Sequence, residues 1–490
     1  MVSVRRLIVA ATLIGVIASC GDDDSRSIDS VTTEWTPPAL EWVACGTNLS
    51  CATLVVPLDY EKPDLGTFEL PVKRYRSPQQ TDRIGSLVVN PGGPGSGGTY
   101  LAESAETVYS DELRSRFDIV GWDPRGTGGS NPAVDCLDDL DTYFSLDPAP
   151  DDEPETRTLL DGARAFAEAC ATRSSGALPY VSTDDSARDI DSLRRALGEE
   201  TMTYFGFSYG SELGATWASL YPETVRAAVL DAAVDPTLTY ADALVDQAAS
   251  FEFVLDAFFD HCNTSRCVFM RDGETAEAAF DRIATSIDRQ PLPTYDDRVA
   301  AGPGVFQTAV ALTMYGEGWW GSLAEALLAA DAGDGGPLLD LYDTYFGEHL
   351  DGRTVGNDIE AYFAISCLDR PAGFADSDVN ERRTELDRVA TRLGAGWFQE
   401  MLICANWPVS AQPRLPVATT AGSRILVVGS TGDAATPLTG TRAMARALAG
   451  SFLLVVDAND HTSYGGSDCA TALIDEFLLG QSPTTQESNC

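Results

Sequence analysis

Lysine is almost absent from this 490-residue chain: Lys62 and Lys73 are the only two. Basic charge is nearly all arginine, and acidic residues outnumber basic ones 74 to 33, for a formal net charge of −41. A surface this negative repels phosphate backbones, so no nucleic-acid partner is expected. Histidine is scarce as well, with His261, His349 and His461 the only three. The eleven cysteines include no Cys-x-x-Cys pair, which argues against a structural zinc site, and neither a metal nor an organic cofactor is expected. Beyond the first twenty residues no run is apolar enough to span a bilayer. The remaining composition, 44% hydrophobic and 22% charged, suits a substantial buried core and excludes wholesale disorder.

The first twenty residues carry a different signal. Arg5 and Arg6 precede an apolar run over 7–17, and Ile17-Ala18-Ser19-Cys20 resembles a bacterial lipobox. Residues 1–20 are therefore expected to be a lipoprotein signal peptide with Cys20 as the lipidated residue, and 21–40 a polar tether. Membrane contact would then run only through that anchor, outside the cytoplasm. Cysteine usage agrees: ten remain after Cys20, an even number, as expected where disulfides persist. Cys45 and Cys51, Cys136 and Cys170, Cys262 and Cys267, Cys367 and Cys404, and Cys469 and Cys490 are sequence neighbours able to bridge locally.

After the tether, 52–58 and 67–72 read as two antiparallel strands, with Pro57 and Pro71 suggesting edge positions. Apolar runs at 86–90, 117–122, 202–206, 227–231, 424–429 and 452–457 then alternate with helical patterns at 184–197, 211–220, 441–448 and 470–479. Such alternation implies an α/β fold with a mostly parallel sheet covered on both faces. Between 236 and 416 it gives way to amphipathic helical patterns at 241–259, 276–287 and 305–330. The expected organisation is one α/β domain formed by 41–235 and 417–490, with 236–416 a helical cap inserted over the carboxyl ends of the strands.

Gly206-Phe207-Ser208-Tyr209-Gly210 follows one of those strands and precedes a helix, the setting of a nucleophile elbow. A serine hydroxyl needs a positioned base, and in this fold the chain order is Ser, then Asp or Glu, then His. His461 follows the last long strand, whereas His261 and His349 fall inside the insertion and read as surface or structural residues. Asp433 leaves the end of the preceding strand and is the expected orienting acid; Asp460, adjacent to the histidine, is badly placed for that role. Thr436, three residues after Asp433, is expected to line the site. Asn90-Pro91-Gly92-Gly93-Pro94-Gly95 brings bare backbone amides to a strand end. Gly93 and Tyr209 are the expected oxyanion-hole donors.

Several motifs taken together resemble the bacterial tripeptidyl aminopeptidase group within the prolyl-aminopeptidase-like serine peptidases, of the α/β-hydrolase superfamily. They are Cys51-Ala52-Thr53-Leu54-Val55-Val56-Pro57-Leu58-Asp59-Tyr60, the segment 90–98, Asp123-Pro124-Arg125-Gly126 with Gly128 and Ser130, the elbow at Ser208, and Asp433 with His461. The resemblance covers nearly all of the chain after the leader. It implies hydrolysis of peptides from a free amino terminus through an acyl-enzyme on Ser208, and a cap carboxylate to bind the amine. Ala364-Ile365-Ser366-Cys367-Leu368-Asp369 resembles a family segment, so Asp369 is the first candidate, with Glu317 and Glu360 behind it. One departure concerns Asp460, which stands where many relatives have glycine before the histidine. The same site would also serve an esterase of small or lipid esters, and a non-catalytic peptide-binding envelope lipoprotein is the reading from outside enzymology.

Overall fold

The computed structural model describes residues 35–490 except 296–297, 348, 351, 371–378 and 413. The leader, Cys20 and most of the tether lie outside the described residues. Ten strands form one sheet: β1 (Val43–Gly46), β2 (Leu49–Pro57), β3 (Thr67–Tyr75), β4 (Gly85–Asn90), β5 (Phe117–Trp122), β6 (Met202–Phe207), β7 (Val225–Asp231), β10 (Ile425–Ser430), β11 (Phe452–Val456) and β12 (Glu487–Asn489). A separate two-stranded ribbon, β8 (His349–Leu350) with β9 (Arg353–Thr354), lies in the region between β7 and β10. The sheet order is β1-β2-β3-β5-β4-β6-β7-β10-β11-β12. The first strands pair antiparallel, and from β5 onward every pairing is parallel. This is the α/β-hydrolase fold.

Every residue of β4, β5 and β10 is buried, because helices cover both faces and leave no side of the strand for water. The alternation of side chains splits each strand between two cores. Val88 and Val120 pack on the face that carries Leu213 and Trp217, and Leu87, Val89 and Ile119 on the face that carries Leu113 and Ile474.

Two expectations about the antiparallel entry need correction. Neither β2 nor β3 is an edge strand, since β2 lies between β1 and β3, and β3 between β2 and β5. Pro71 is tolerated because the β5 ladder begins only at Val72, so its missing N–H falls where no bond is required. Trp35, expected to lie in a polar tether, is already bonded to the fold. The Trp35 carbonyl already accepts a bond from Arg195 at 2.9 Å, and the Arg74 guanidinium lies 4.0 Å over the ring of Trp42.

Two of the family-like motifs before the elbow, 51–60 and 123–130, hold the fold together. Arg125 is fully buried and binds Asp189 through two bonds of 2.7 and 2.6 Å, with the Leu58 and Tyr180 carbonyls as further acceptors. Tyr60 donates to the same Asp189 at 2.8 Å. Asp123 accepts the Thr99 and Gly129 amides, each at 3.0 Å. Together they fix the strand ends beneath the cleft.

Between β7 and β10 the chain runs through helices Tyr240–Ser265, Ala276–Arg289, Pro303–Thr313, Trp320–Asp331, Gly336–Phe346, Asp358–Asp369, Val379–Val389 and Gly394–Ala405. The excursion between β5 and β6 joins them. Its helix Glu153–Arg173 packs on Gly394–Ala405, and Phe144 stacks on Phe363 with ring centroids 5.9 Å apart. The predicted helix over 305–330 is two helices broken at 314–319, where Gly316 has a Cβ position 2.6 Å from Asp460 Oδ1.

The disulfides are Cys45–Cys51, Cys136–Cys170, Cys262–Cys267, Cys367–Cys404 and Cys469–Cys490. All five join the sequence neighbours expected. Among the described residues no helix is long and apolar enough to cross a membrane.

Candidate active site

Sheet order alone gathers the candidate residues. β4, β6, β7, β10 and β11 are consecutive and parallel, so the segments leaving their carboxyl ends meet on one edge. Ser208 leaves β6, Asp231 closes β7, Asp433 follows β10 and His461 follows β11, while the Gly92-Gly93 turn leaves β4.

Ser208 is held at φ 54° and ψ −125°, a sparsely populated conformation for a residue with a side chain. Its amide donates to the Asp231 carbonyl at 2.8 Å. The turn is possible because Gly206 and Gly210 lack side chains: a Cβ on Gly206 would lie 2.2 Å from the Gly210 carbonyl oxygen. Gly92, at φ 101°, has its Cβ position 2.8 Å from Ser208 Cβ, so only glycine lets the β4 turn approach the elbow this closely. The backbone N–H groups of Gly93 and Tyr209 have no acceptor among the described residues. Both are thus free to meet a developing oxyanion.

Asp433 is 1% exposed and its carboxylate is fully engaged. It accepts the Ala435 and Thr436 amides at 2.9 and 2.8 Å, the Thr436 hydroxyl at 2.7 Å, and His461 Nδ1 at 2.9 and 3.0 Å. Thr436 is thus the residue that aims the acid, rather than a wall of the cleft. Burial pulls the His461 pKa down, but the charge and hydrogen bond of Asp433, with Asp231 behind them, leave it above the ordinary histidine value. Asp231 is itself pushed up to about 6 by burial, against the Tyr464 and Ser463 amides that donate to it. Among the described residues Ser208 Oγ makes no hydrogen bond to His461, so the structure brings Asp433 and His461 into contact and leaves the Ser208 hydroxyl outside that pair.

Asp460 finds a role that explains the departure from glycine. Its Oδ1 accepts the Glu317 amide at 3.2 Å, and the neighbouring His461 amide donates to the Tyr315 carbonyl at 2.8 Å. The Tyr315 ring packs edge-on against the imidazole, with centroids 5.4 Å apart. The break in the predicted 305–330 helix is therefore the strap that holds the histidine loop.

The three candidates for binding an amine are elsewhere. Asp369 is buried beneath the elbow, where its carboxylate accepts the Thr183 amide at 2.9 Å and the Thr183 hydroxyl and lies 3.9 Å from Arg414. Thr183 also bonds the Tyr209 hydroxyl. Glu360 accepts the Cys136 and Leu137 amides at 2.9 and 2.5 Å. Glu317 is exposed and accepts from Asn459 at 2.7 Å. Each is already occupied by the protein, and none lines the cleft that holds Ser208.

That cleft is a cavity of about 230 Å³ reached by Ser208 and Gly93 and walled by Phe144, Phe251, Tyr315, Tyr345, Tyr362 and Trp397. One residue in it was missed in the sequence. Glu400 lies in the cavity wall and, among the described residues, has only the Tyr362 hydroxyl as a hydrogen-bond partner, at 3.4 Å. Burial pushes its pKa up to about 7, with that hydroxyl the only counterweight. The signal was present, since Glu400 is the single charged residue of the helix Gly394–Ala405.

Similarity to known proteins shows the family. The family described as "TAP-like protein" matches residues 390–490. The serine protease Hip1 of Mycobacterium tuberculosis (strain H37Rv) is 30% identical over 98% of this chain and 96% of its own length. The tripeptidyl aminopeptidase of Streptomyces coelicolor is 30% identical over 92% of this chain and 86% of its own. The chain belongs to the tripeptidyl-aminopeptidase-like serine peptidases of the α/β-hydrolase superfamily. It is accordingly a serine hydrolase. A relative named carboxylesterase B, from M. tuberculosis (strain H37Rv), is 32% identical over 89% of this chain and 85% of its own length.

Proposed function

We propose that this protein is an extracytoplasmic exopeptidase that cleaves peptides from a free amino terminus, with Ser208 as nucleophile, His461 as general base and Asp433 as its orienting acid. His461 takes the Ser208 proton as the hydroxyl attacks the carbonyl, and the Gly93 and Tyr209 amides hold the oxyanion. The imidazolium returns that proton to the leaving amine, and a water activated by His461 then releases the acylated fragment. Five disulfides support folding in an oxidising compartment.

The observation that carries the exopeptidase reading is Glu400. A carboxyl in an aromatic cavity with no cationic partner favours a ligand that brings a positive charge, and the ammonium of a peptide is such a group. Glu400 replaces Asp369, Glu317 and Glu360 in that role. The test compares kcat/KM for one peptide with free and with acetylated amino terminus, in wild type and Glu400→Gln, with fragments identified by mass. A strong preference for the free amine that collapses in Glu400→Gln is expected. Equal turnover of both peptides by the wild type would overturn the reading. Ester hydrolysis is the second reading, favoured by the carboxylesterase B relative; it gains if esters are cleaved and every amide is refused.

A further inference from the structure

A second cluster of chemistry-bearing side chains lies away from Ser208. Asp139 and Asp141 come from the excursion between β5 and β6, and His349 from the ribbon strand β8. One ligand atom from each lies within 4.8 Å of the others. His349 Nε2 is 3.5 Å from Asp139 Oδ1 and 3.9 Å from Asp141 Oδ2, both beyond hydrogen-bond length. The imidazole side chain is only 9% exposed, and its Nε2 is buried with no hydrogen-bond partner. A buried ring nitrogen beside two carboxylates, with no hydrogen bond to either, is a ligand atom still to be satisfied.

The charge balance points the same way. Asp141 and Asp343 share one guanidinium, Arg298, which bonds Asp343 at 2.6 and 2.7 Å and reaches Asp141 only at 3.4 Å. Arg298 is thus spent mainly on Asp343, leaving the pair of aspartates in excess. The two segments are also held in register independently, through Thr354 N–H to the Asp138 carbonyl at 2.9 Å and Leu140 N–H to Thr354 Oγ1 at 3.2 Å.

We propose that Asp139, Asp141 and His349 form a structural site for one divalent transition-metal ion of the zinc class. An imidazole with two carboxylates suits such an ion, whereas calcium takes oxygen ligands alone. Ligands about 2.0–2.2 Å from a tetrahedral zinc stand about 3.3–3.6 Å apart, so the 3.5 Å separation already fits and the 3.9 Å one closes with a small side-chain movement. The ion neutralises the two carboxylates, takes up the orphan nitrogen and keeps one position for water. It staples the excursion to the cap beside the cleft, since Phe144 and Phe346, each three residues from a ligand, pack with centroids 4.6 Å apart and both line the cavity.

The test uses the full chain, stripped with EDTA and titrated with zinc chloride alone by calorimetry, with metal content read by mass spectrometry and folding by circular dichroism. One zinc per chain is expected, undisplaced by an equal concentration of calcium. Affinity should fall by at least about tenfold in both His349→Ala and Asp139→Asn. If His349→Ala does not fold, Asp139→Asn decides alone. No zinc uptake, displacement by calcium, or a smaller loss of affinity in a folded variant would overturn the site.

Discussion

Replacing Glu400 by glutamine should stabilise the protein while disabling it. A carboxyl that binds its proton at about 7 in the fold against 4.5 in water lowers stability by about 3 kcal/mol once the pH passes 7. The cavity opens to water, which screens the charge, so about 2 kcal/mol is the working figure. The sign follows from proton counting. Between pH 4.5 and 7 the folded state binds more protons than the unfolded one, so stability falls as pH rises through that window, and below it the penalty is absent. With about 2.1 cal/mol/K of unfolding entropy per residue over some 450 residues, Glu400→Gln should melt about 2 °C higher than wild type at pH 8, with the gap closing at pH 4.5. Differential scanning fluorimetry across that range measures it. In the same variant, loss of a charge-assisted bond of about 1.5–3 kcal/mol lowers kcat/KM on free-amine peptides by about 10- to 150-fold. Esters and blocked peptides should change little. A variant that melts in parallel with wild type at every pH, or loses blocked and free substrates alike, refutes the reasoning.

Other expectations follow from the same contacts. Asp433→Asn should lower kcat by about 10⁴ by leaving His461 in the wrong tautomer, seen as slowed labelling of Ser208 by a fluorophosphonate. Asp460→Ala should release the Glu317 amide and loosen the histidine loop, lowering stability by about 1 kcal/mol and kcat more than it alters KM, read from melting and steady-state kinetics. Asp369→Asn should lose on the order of 1–3 kcal/mol in urea denaturation yet keep the wild-type preference for free amines. Removing Cys367–Cys404, which closes a separation of 37 residues, should lower stability by about 4 kcal/mol; the double alanine variant, measured in urea, checks it.

How much of this was legible depends on where the information resides. Runs such as 86–90 and 117–122 are buried on both faces, so local composition announces them, and β4 and β5 start and end within a residue of expectation. Ser208, Asp433 and His461 were readable because each sits just past such a run. β1 and β12 were not readable. The second is Glu487–Asn489, three polar residues with no strand propensity, held by the Cys490 amide on the Val455 carbonyl at 2.9 Å and by the Cys469 bridge. The strap at Tyr315–Glu317 was hidden inside a helical pattern because its partner, Asp460, is 143 residues away.

The contrast between Glu400 and the three acids expected from the sequence has a physical explanation that reaches beyond this residue. Asp231, Asp369, Glu360 and Glu400 are all carboxyls raised by burial, to about 6, 6, 7 and 7, so the shift alone does not separate structure from function. Compensation does. Asp231 takes two backbone amides, Glu360 takes two, and Asp369 takes an amide, a hydroxyl and a nearby guanidinium. Glu400 takes one long bond from a phenol. A carboxylate satisfied inside the fold has nothing left for a ligand, whereas the desolvation of Glu400 persists in the free enzyme and is relieved when an ammonium arrives. On the proposed reading, binding energy is thereby tied to the one charge that distinguishes a chain end from an internal peptide bond.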